Sequence, residues 1–197
     1  MRPLPVARSG AKIGLLGGSF DPAHEGHAHI TRWAQRWFRL DAVWWMVSPG
    51  NPLKQRGPAD IEIRLEAAER VAPRRTVVTD IETHLSTRYT ADTLRGLMRL
   101  YPSARFTWLM GADNLIQFHL WDDWQWIMET VPIGVLARPG AQVKAGLSPA
   151  ARRYRRWRLS RAASVKLAEM KAPAWALLTG PMSSASSTKI RERGEWP

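Results

Sequence analysis

The chain has no cysteine among its 197 residues. That excludes disulfides, thiol nucleophiles and thiolate metal sites together, and leaves any metal to oxygen or imidazole ligands. Long apolar runs are missing too, since no stretch approaches the roughly 18 residues that a membrane span requires. The start, MRPLPVARSGAK, is basic but is not followed by the apolar segment of a secretory leader, so the cytoplasm is the expected compartment. Acidic residues are scarce, with 17 Asp and Glu against 29 Lys and Arg, a formal charge of +12. A field of that sign attracts polyanions, and nucleotides and nucleic acids both qualify. What the chain does have, 45% hydrophobic and 23% charged residues, is the composition of an ordinary globular protein, and its length suits one α/β domain better than two.

Six short apolar runs rich in β-branched or aromatic residues read as buried strands: Lys12 to Leu16, Ala42 to Val47, Thr76 to Thr79, Arg105 to Met110, Ile133 to Leu136 and Trp175 to Leu178. Between them, Ala28 to Phe38, Ile61 to Val71, Ala91 to Leu100 and Trp121 to Glu129 carry helical spacing. Asp60 and Thr90 stand where they can cap two of these helices, and Pro73 and Pro102 end them. Strand alternating with helix predicts parallel βαβ units in a single Rossmann-like α/β domain over residues 12–197, a doubly wound sheet with helices on both faces. Ligands of such sheets lie beyond the carboxyl ends of the strands. Residues 1–11 and the stretch from Ala141 to Pro149 are expected to be loosely structured, and no internal repeat is present.

After the first strand, Gly17 and Gly18 allow a tight turn that brings a ligand close to backbone amides. The order is neither the G-x-G-x-x-G of dehydrogenases nor a P-loop. Instead Ser19, Phe20, Asp21 and Pro22 lead to His24-Glu25-Gly26-His27, two imidazoles at the start of a helix, which is itself an anion site. Imidazoles there can donate to nucleotide phosphates and strengthen as charge builds during nucleotidyl transfer. Two other readings stay open from the residues alone: a metal site built from His24, His27 and His29, and plain structural histidines.

The segment from Gly17 to His27 resembles the signature of the nucleotidylyltransferase superfamily, a Gly-Gly-Ser/Thr-Phe-Asp-Pro turn followed by His/Thr-x-Gly-His. The resemblance implies that His24 and His27 bind the ATP phosphates and stabilise the transition state, that Gly17, Gly18, Ser19 and Phe20 line the nucleotide site, and that no covalent intermediate forms. Five further blocks are similar to the bacterial nicotinate mononucleotide adenylyltransferases, in that family's order. They are Asn51-Pro52-Leu53-Lys54, Arg88-Tyr89-Thr90-Ala91-Asp92-Thr93-Leu94, Gly111-Ala112-Asp113-Asn114-Leu115 with Trp121 and Trp124, Arg138-Pro139-Gly140, and Ser186-Ser187-Thr188-Lys189-Ile190-Arg191. On that resemblance Lys54 faces ligand phosphate. The helix start at Thr90 holds the carboxylate that distinguishes nicotinate from nicotinamide. Trp121 stacks on the pyridine ring, while Trp124 packs in the core. Asp113 accepts from a ribose hydroxyl, a role that competes with helix capping. Arg138 is a weaker contact, and Ser187, Thr188 and Arg191 form a second phosphate cradle. The Ser186 block departs from the pattern in being preceded by Met182-Ser183-Ser184-Ala185, where relatives carry an aliphatic residue.

The implied reaction is adenylyl transfer from ATP to nicotinate mononucleotide in NAD biosynthesis, with Mg2+ carried in on the ATP, no protein-held metal and no oligomeric state implied. Alternatives are a phosphopantetheine or alcohol-phosphate acceptor. His24 opposes phosphopantetheine, whose enzymes usually carry Thr there. From a different class comes a basic RNA-binding module using Arg152, Arg153, Arg155, Arg156, Arg158 and Arg161, with Tyr154 and Trp157 interleaved. The simpler reading of that run is a solvated surface. No nucleic-acid motif accompanies it, so nucleic acid is not the expected main partner.

Overall fold

A computed structural model describes residues 2–50, 57–137, 141–180, 187–194 and 196. All six expected strands form: β1 (Lys12–Gly18), β2 (Ala42–Val47), β3 (Thr76–Thr79), β4 (Arg105–Gly111), β5 (Ile133–Ala137) and β6 (Trp175–Thr179). They make one sheet in the order β3-β2-β1-β4-β5-β6, with every neighbouring pair parallel. Side-chain alternation explains why the sheet must be covered on both sides. Ile13, Leu15, Trp44, Met46, Trp108 and Val135 point into one core, and Leu16, Val43, Trp45, Leu109 and Leu136 into the other. Trp44, Trp45, Trp108 and Trp175 are among the largest fully buried side chains, each worth about 3–5 kcal/mol against truncation to alanine.

Among the described residues the helices are α1 (Glu25–Trp37), α2 (Ile61–Val71), α3 (Ile81–His84), α4 (Thr90–Leu100), α5 (Ala112–Gln117), α6 (Trp124–Thr130), α7 (Gln142–Gly146), α8 (Pro149–Arg153) and α9 (Ser187–Glu192). Ala34 of α1 and Leu65 of α2 seal one face. Leu97 of α4, Leu115 of α5 and Ile127 of α6 seal the other. The helix after β1 and the helix after β4 therefore leave on opposite faces, and these two strands are neighbours in the sheet. A crevice opens at such a point beyond the strand ends, here beyond Gly18 and Gly111.

Asp60 caps α2 through Glu62 N at 2.8 Å. Thr90 does not cap α4. Tyr89 occupies that position without a side-chain bond, and Thr90 is the first helical residue. Trp121 also falls outside a helix, because a 3-10 turn over Phe118–Leu120 ends there and α6 starts only at Trp124, after Asp123 with φ 47°. The two tryptophans therefore do not share a helix face. The first residues, expected to be loose, are tied along the sheet's amino end and to α3: Gly10 N donates to Ser103 O at 2.8 Å, Tyr101 Oη to Pro5 O at 2.8 Å and Arg2 N to Asp80 Oδ1 at 3.1 Å. The stretch beginning at Ala141, also expected to be loose, contains α7 and leads into α8, which Ser148 caps through Ala151 N. No helix among the described residues is long and apolar enough to cross a membrane.

Glu82 of α3 is buried, 7% exposed, and burial pushes its carboxyl up from 4.5 to about 7. Folding therefore favours the protonated form, so this group's penalty is absent below its unfolded value, grows as pH rises, and is complete above about pH 7. Glu82→Gln is expected to be more stable than the parent by up to about 3 kcal/mol at pH 8, with the gap closing toward pH 5. Urea unfolding across that range checks this, and a gap independent of pH contradicts it.

Candidate active site

Gly17 and Gly18, expected to make the turn after the first strand, are instead the last two residues of β1, paired with Met46 and Val47, and the turn begins at Ser19. Close packing builds this end of the strand. A Cβ on Gly17 would stand 2.8 Å from Cη2 of Trp108, so the buried indole admits only glycine there. Phe20 is held at φ 47°, a left-handed conformation that a bulky residue adopts only where its surroundings impose it. Its ring is buried, 2% exposed, stacked on Trp45 at 5.1 Å and tilted against His27 at 4.8 Å. Phe20 thus supports the site from below, and what it can offer a ligand is backbone. Beneath the turn lies Arg64 of α2, 1% exposed. Its guanidinium donates to Ser19 O, Ser48 O and Ala59 O, each at 2.7 Å, which fixes the loops after β1 and β2 to the start of α2. Burial pulls its pKa down, and the Asp21 and Asp60 carboxylates oppose that pull.

His24 and His27 form a reciprocal cap at the head of α1. Gly26 N donates to Nδ1 of His24 at 3.0 Å, and His24 N donates to Nδ1 of His27 at 3.2 Å. The logic is that of a capping box, with imidazoles in place of the usual hydroxyl and carboxylate. An Nδ1 that accepts carries no proton, so in both neutral rings the proton resides on Nε2. The rings lie 4.1 Å apart between centroids. Two imidazole donors are thereby fixed at a helix N-terminus, where the helix dipole also favours an anion. The alternative of a metal site gains nothing: no group of three His, Asp or Glu suited to a metal occurs among the described residues, and the His29 ring lies near Trp33.

Asp21 links this turn to the far end of the chain. Its Oδ1 accepts from Trp196 Nε1 at 2.7 Å and Ala59 N at 3.2 Å, and its Oδ2 stands 3.5 Å from Arg191. Arg191 also donates to the Asp21 carbonyl and lies 3.4 Å from the Thr188 hydroxyl. Ser187 Oγ donates to Pro22 O at 3.0 Å. The residues expected to form the second cradle on α9 thus lie against Asp21 and Pro22, in the segment between the β1 end and the two histidines.

Asp113 and Trp121 follow the carboxyl end of β4, and Thr90 follows that of β3. Asp113, exposed on α5, makes no capping bond. Gly111 holds the N-cap position and Asp113 is the second residue of the helix, its carboxylate close to where a Cβ of Gly111 would be. Trp121 is half-buried, edge-on to Trp108 at 6.0 Å and Phe118 at 5.1 Å. Thr90 is half-buried at the head of α4, whose first-turn amides precede the intrahelical ladder. Lys54 and Arg138 lie outside the described residues.

A cytidylyltransferase-like family model matches residues 15–193. A probable nicotinate-nucleotide adenylyltransferase of Ruegeria pomeroyi is 56% identical over 98% of this chain and 91% of its own. One of Cereibacter sphaeroides is 58% identical over 93% and 98%. The chain belongs to the nicotinate-nucleotide adenylyltransferase family. The fold agrees: the nicotinic acid mononucleotide adenylyltransferase of Plasmodium falciparum, complexed with NaAD, superposes with a TM-score of 0.68 at 17% identity, over 91% of this chain and 82% of that one.

Relative to the residues singled out in the sequence, this member of the family adds three: Arg64, Asp21 and Trp196. Arg64 reads in the sequence as one more exposed helix cation, and only its burial reveals it. Asp21 sits inside the signature, but its partners are 38 and 175 positions away. Replacing Arg64 by methionine strands three carbonyl groups, and is expected to cost on the order of 3 kcal/mol or more. Urea unfolding of Arg64→Met measures this, and parental stability would show that the carbonyl ties contribute little.

Proposed function

We propose that the protein transfers the AMP moiety of ATP to the 5′-phosphate of nicotinate mononucleotide, giving nicotinate adenine dinucleotide and pyrophosphate, a step of NAD biosynthesis. The family supports the reaction, and the reciprocal cap of His24 and His27 carries the mechanism. A phosphate oxygen of the mononucleotide attacks the α-phosphorus of ATP in line, and the bond from that phosphorus to the bridging oxygen breaks as pyrophosphate leaves. A phosphate is nucleophilic at neutral pH without a base, so the protein's task is positioning and charge neutralisation. Mg2+ accompanies ATP on its phosphates and neutralises part of their charge.

In this reading the Nε2–H groups of His24 and His27 donate to the ATP phosphates, more strongly as negative charge moves onto the departing pyrophosphate. The backbone of Gly17, Gly18, Ser19 and Phe20 lets the nucleotide approach closely. Arg191 exchanges part of its hold on Asp21 for a phosphate, beside Ser187 and Thr188, because a bidentate guanidinium–phosphate pair is the stronger partner. On the acceptor side Lys54 meets phosphate, Asp113 a ribose hydroxyl, and Trp121 the pyridine face. The amides at Thr90 meet the nicotinate carboxylate, and Arg138 adds a more distant contact. The half-exposed indole of Trp121, steadied by Trp108 and Phe118, supplies the flat surface such a ring needs.

Pyrophosphate release with ATP and, separately, nicotinate mononucleotide, nicotinamide mononucleotide or phosphopantetheine tests the acceptor. Nicotinate mononucleotide is expected to be turned over fastest, and equal rates with its amide remove the role given to Thr90. His24→Ala and His27→Ala are each expected to lower kcat roughly 100-fold or more while KM for ATP changes far less. Equal losses in both parameters with an intact fold contradict a transition-state role.

A further inference from the structure

The arginine run from Arg152 to Arg161 is not used by the chemistry above. Its residues up to Arg158 lie by the amino end of the edge strand β6, where Arg158 bridges Trp175 and Leu159 N donates to Trp175 O at 2.8 Å, away from the carboxyl ends where the nucleotide crevice is. Arg161 alone reaches the far end of the strand, donating to Thr179 O at 3.3 Å. Half of the run is occupied within the fold. Arg158 stacks over Trp175 at 5.4 Å and Arg161 over Trp37 at 4.5 Å, and Arg153 faces the side-chain amide of Gln125. These contacts already supply the charge that guards a sheet edge against pairing. Arg152, Arg155 and Arg156 are exposed, and among the described residues none of them is ion-paired to a carboxylate. Three mutually repelling cations within five residues serve nothing inside the protein. Beside them Trp157 is 42% exposed, its indole steadied on Tyr154 at 5.5 Å.

We propose that this face binds the backbone of single-stranded RNA, independently of adenylyl transfer. Unpaired planar guanidinium groups match phosphates as bidentate partners. A held, half-exposed indole among them offers a base a stacking surface, the pairing of features that single-strand binders use. An anionic membrane would satisfy the arginines and takes indoles at its interface, but Trp157 is the one large apolar side chain exposed within residues 152–161, less apolar surface than interfacial anchoring uses, so RNA is the better match.

The test measures binding of a labelled oligouridylate of about 20 nucleotides to the intact protein between low and moderate salt. The triple variant Arg152→Gln, Arg155→Gln, Arg156→Gln is expected to bind roughly tenfold or more weaker at low salt, and its log–log salt dependence to be shallower by about 2. Trp157→Ala is expected to weaken binding about fivefold or more. Pyrophosphate release is expected to be unchanged in both. No binding by the parent at low salt, unchanged binding by the triple variant, or stronger capture by phosphatidylserine vesicles than by RNA overturns the proposal.

Discussion

Two backbone N–H groups at the head of α1 determine what the site can do. Each must be satisfied, and each is satisfied by the Nδ1 of a histidine three or fewer residues away. That local requirement selects the tautomer of both rings and makes Nε2 the protonated nitrogen, in the place where the proposed reaction needs nucleotide phosphates to be received. A serine or aspartate would cap the helix equally well, but would not present a donor imidazole. In the proposed reaction, helix capping and phosphate recognition are therefore one interaction seen from its two sides, and the histidines need neither a metal nor a general base to serve it.

The cap is only as well placed as the turn that precedes it. Arg64 clamps that turn from below through backbone oxygens of three segments, and Asp21 ties it to α2 and to the residues around Arg191. Both are buried ionic groups, costly to place and worthwhile only when nearly every bond is made. Their result is rigidity where a rigid sheet would otherwise end in free loops. The Phe20 backbone, held in the left-handed region, is a local cost that this framework sustains. The strand order supplies the remaining geometry, since β1 and β4 are neighbours whose following helices diverge, and the crevice follows from that divergence.

Much of this was legible in the sequence. The six strands were, because a fully covered parallel sheet writes itself as short continuous apolar runs, and Trp44, Trp45 and Trp108 sit in them as expected. The signature from Gly17 to His27 was legible because it resembles a family's pattern, and within it the cap joins His24 to residues two and three positions away. The ends of helices were less so: Thr90 lost the capping position to Tyr89 by one residue, and the helical spacing of Trp121 and Trp124 hid a left-handed residue at Asp123. Least visible were Arg64, Asp21 and Trp196. Apart from the Arg64–Ala59 bond five positions apart, their roles rest on contacts across 16 to 175 positions, and nothing in local pattern marks a buried arginine apart from an exposed one.

The proposed role of the α1 head depends on the protonation geometry of two imidazoles, and side-chain nitrogen NMR of histidine-labelled protein reads it directly. His24 and His27 are expected to show the Nε2–H tautomer in the ligand-free protein near pH 7.5, with the Nε2 resonances of both moving when the Mg2+ complex of ATP is added while Nδ1 keeps its acceptor character. An Nδ1–H tautomer or a doubly protonated ring at either position in the free protein would contradict the cap, and with it the reason given for two histidines standing at the head of this helix.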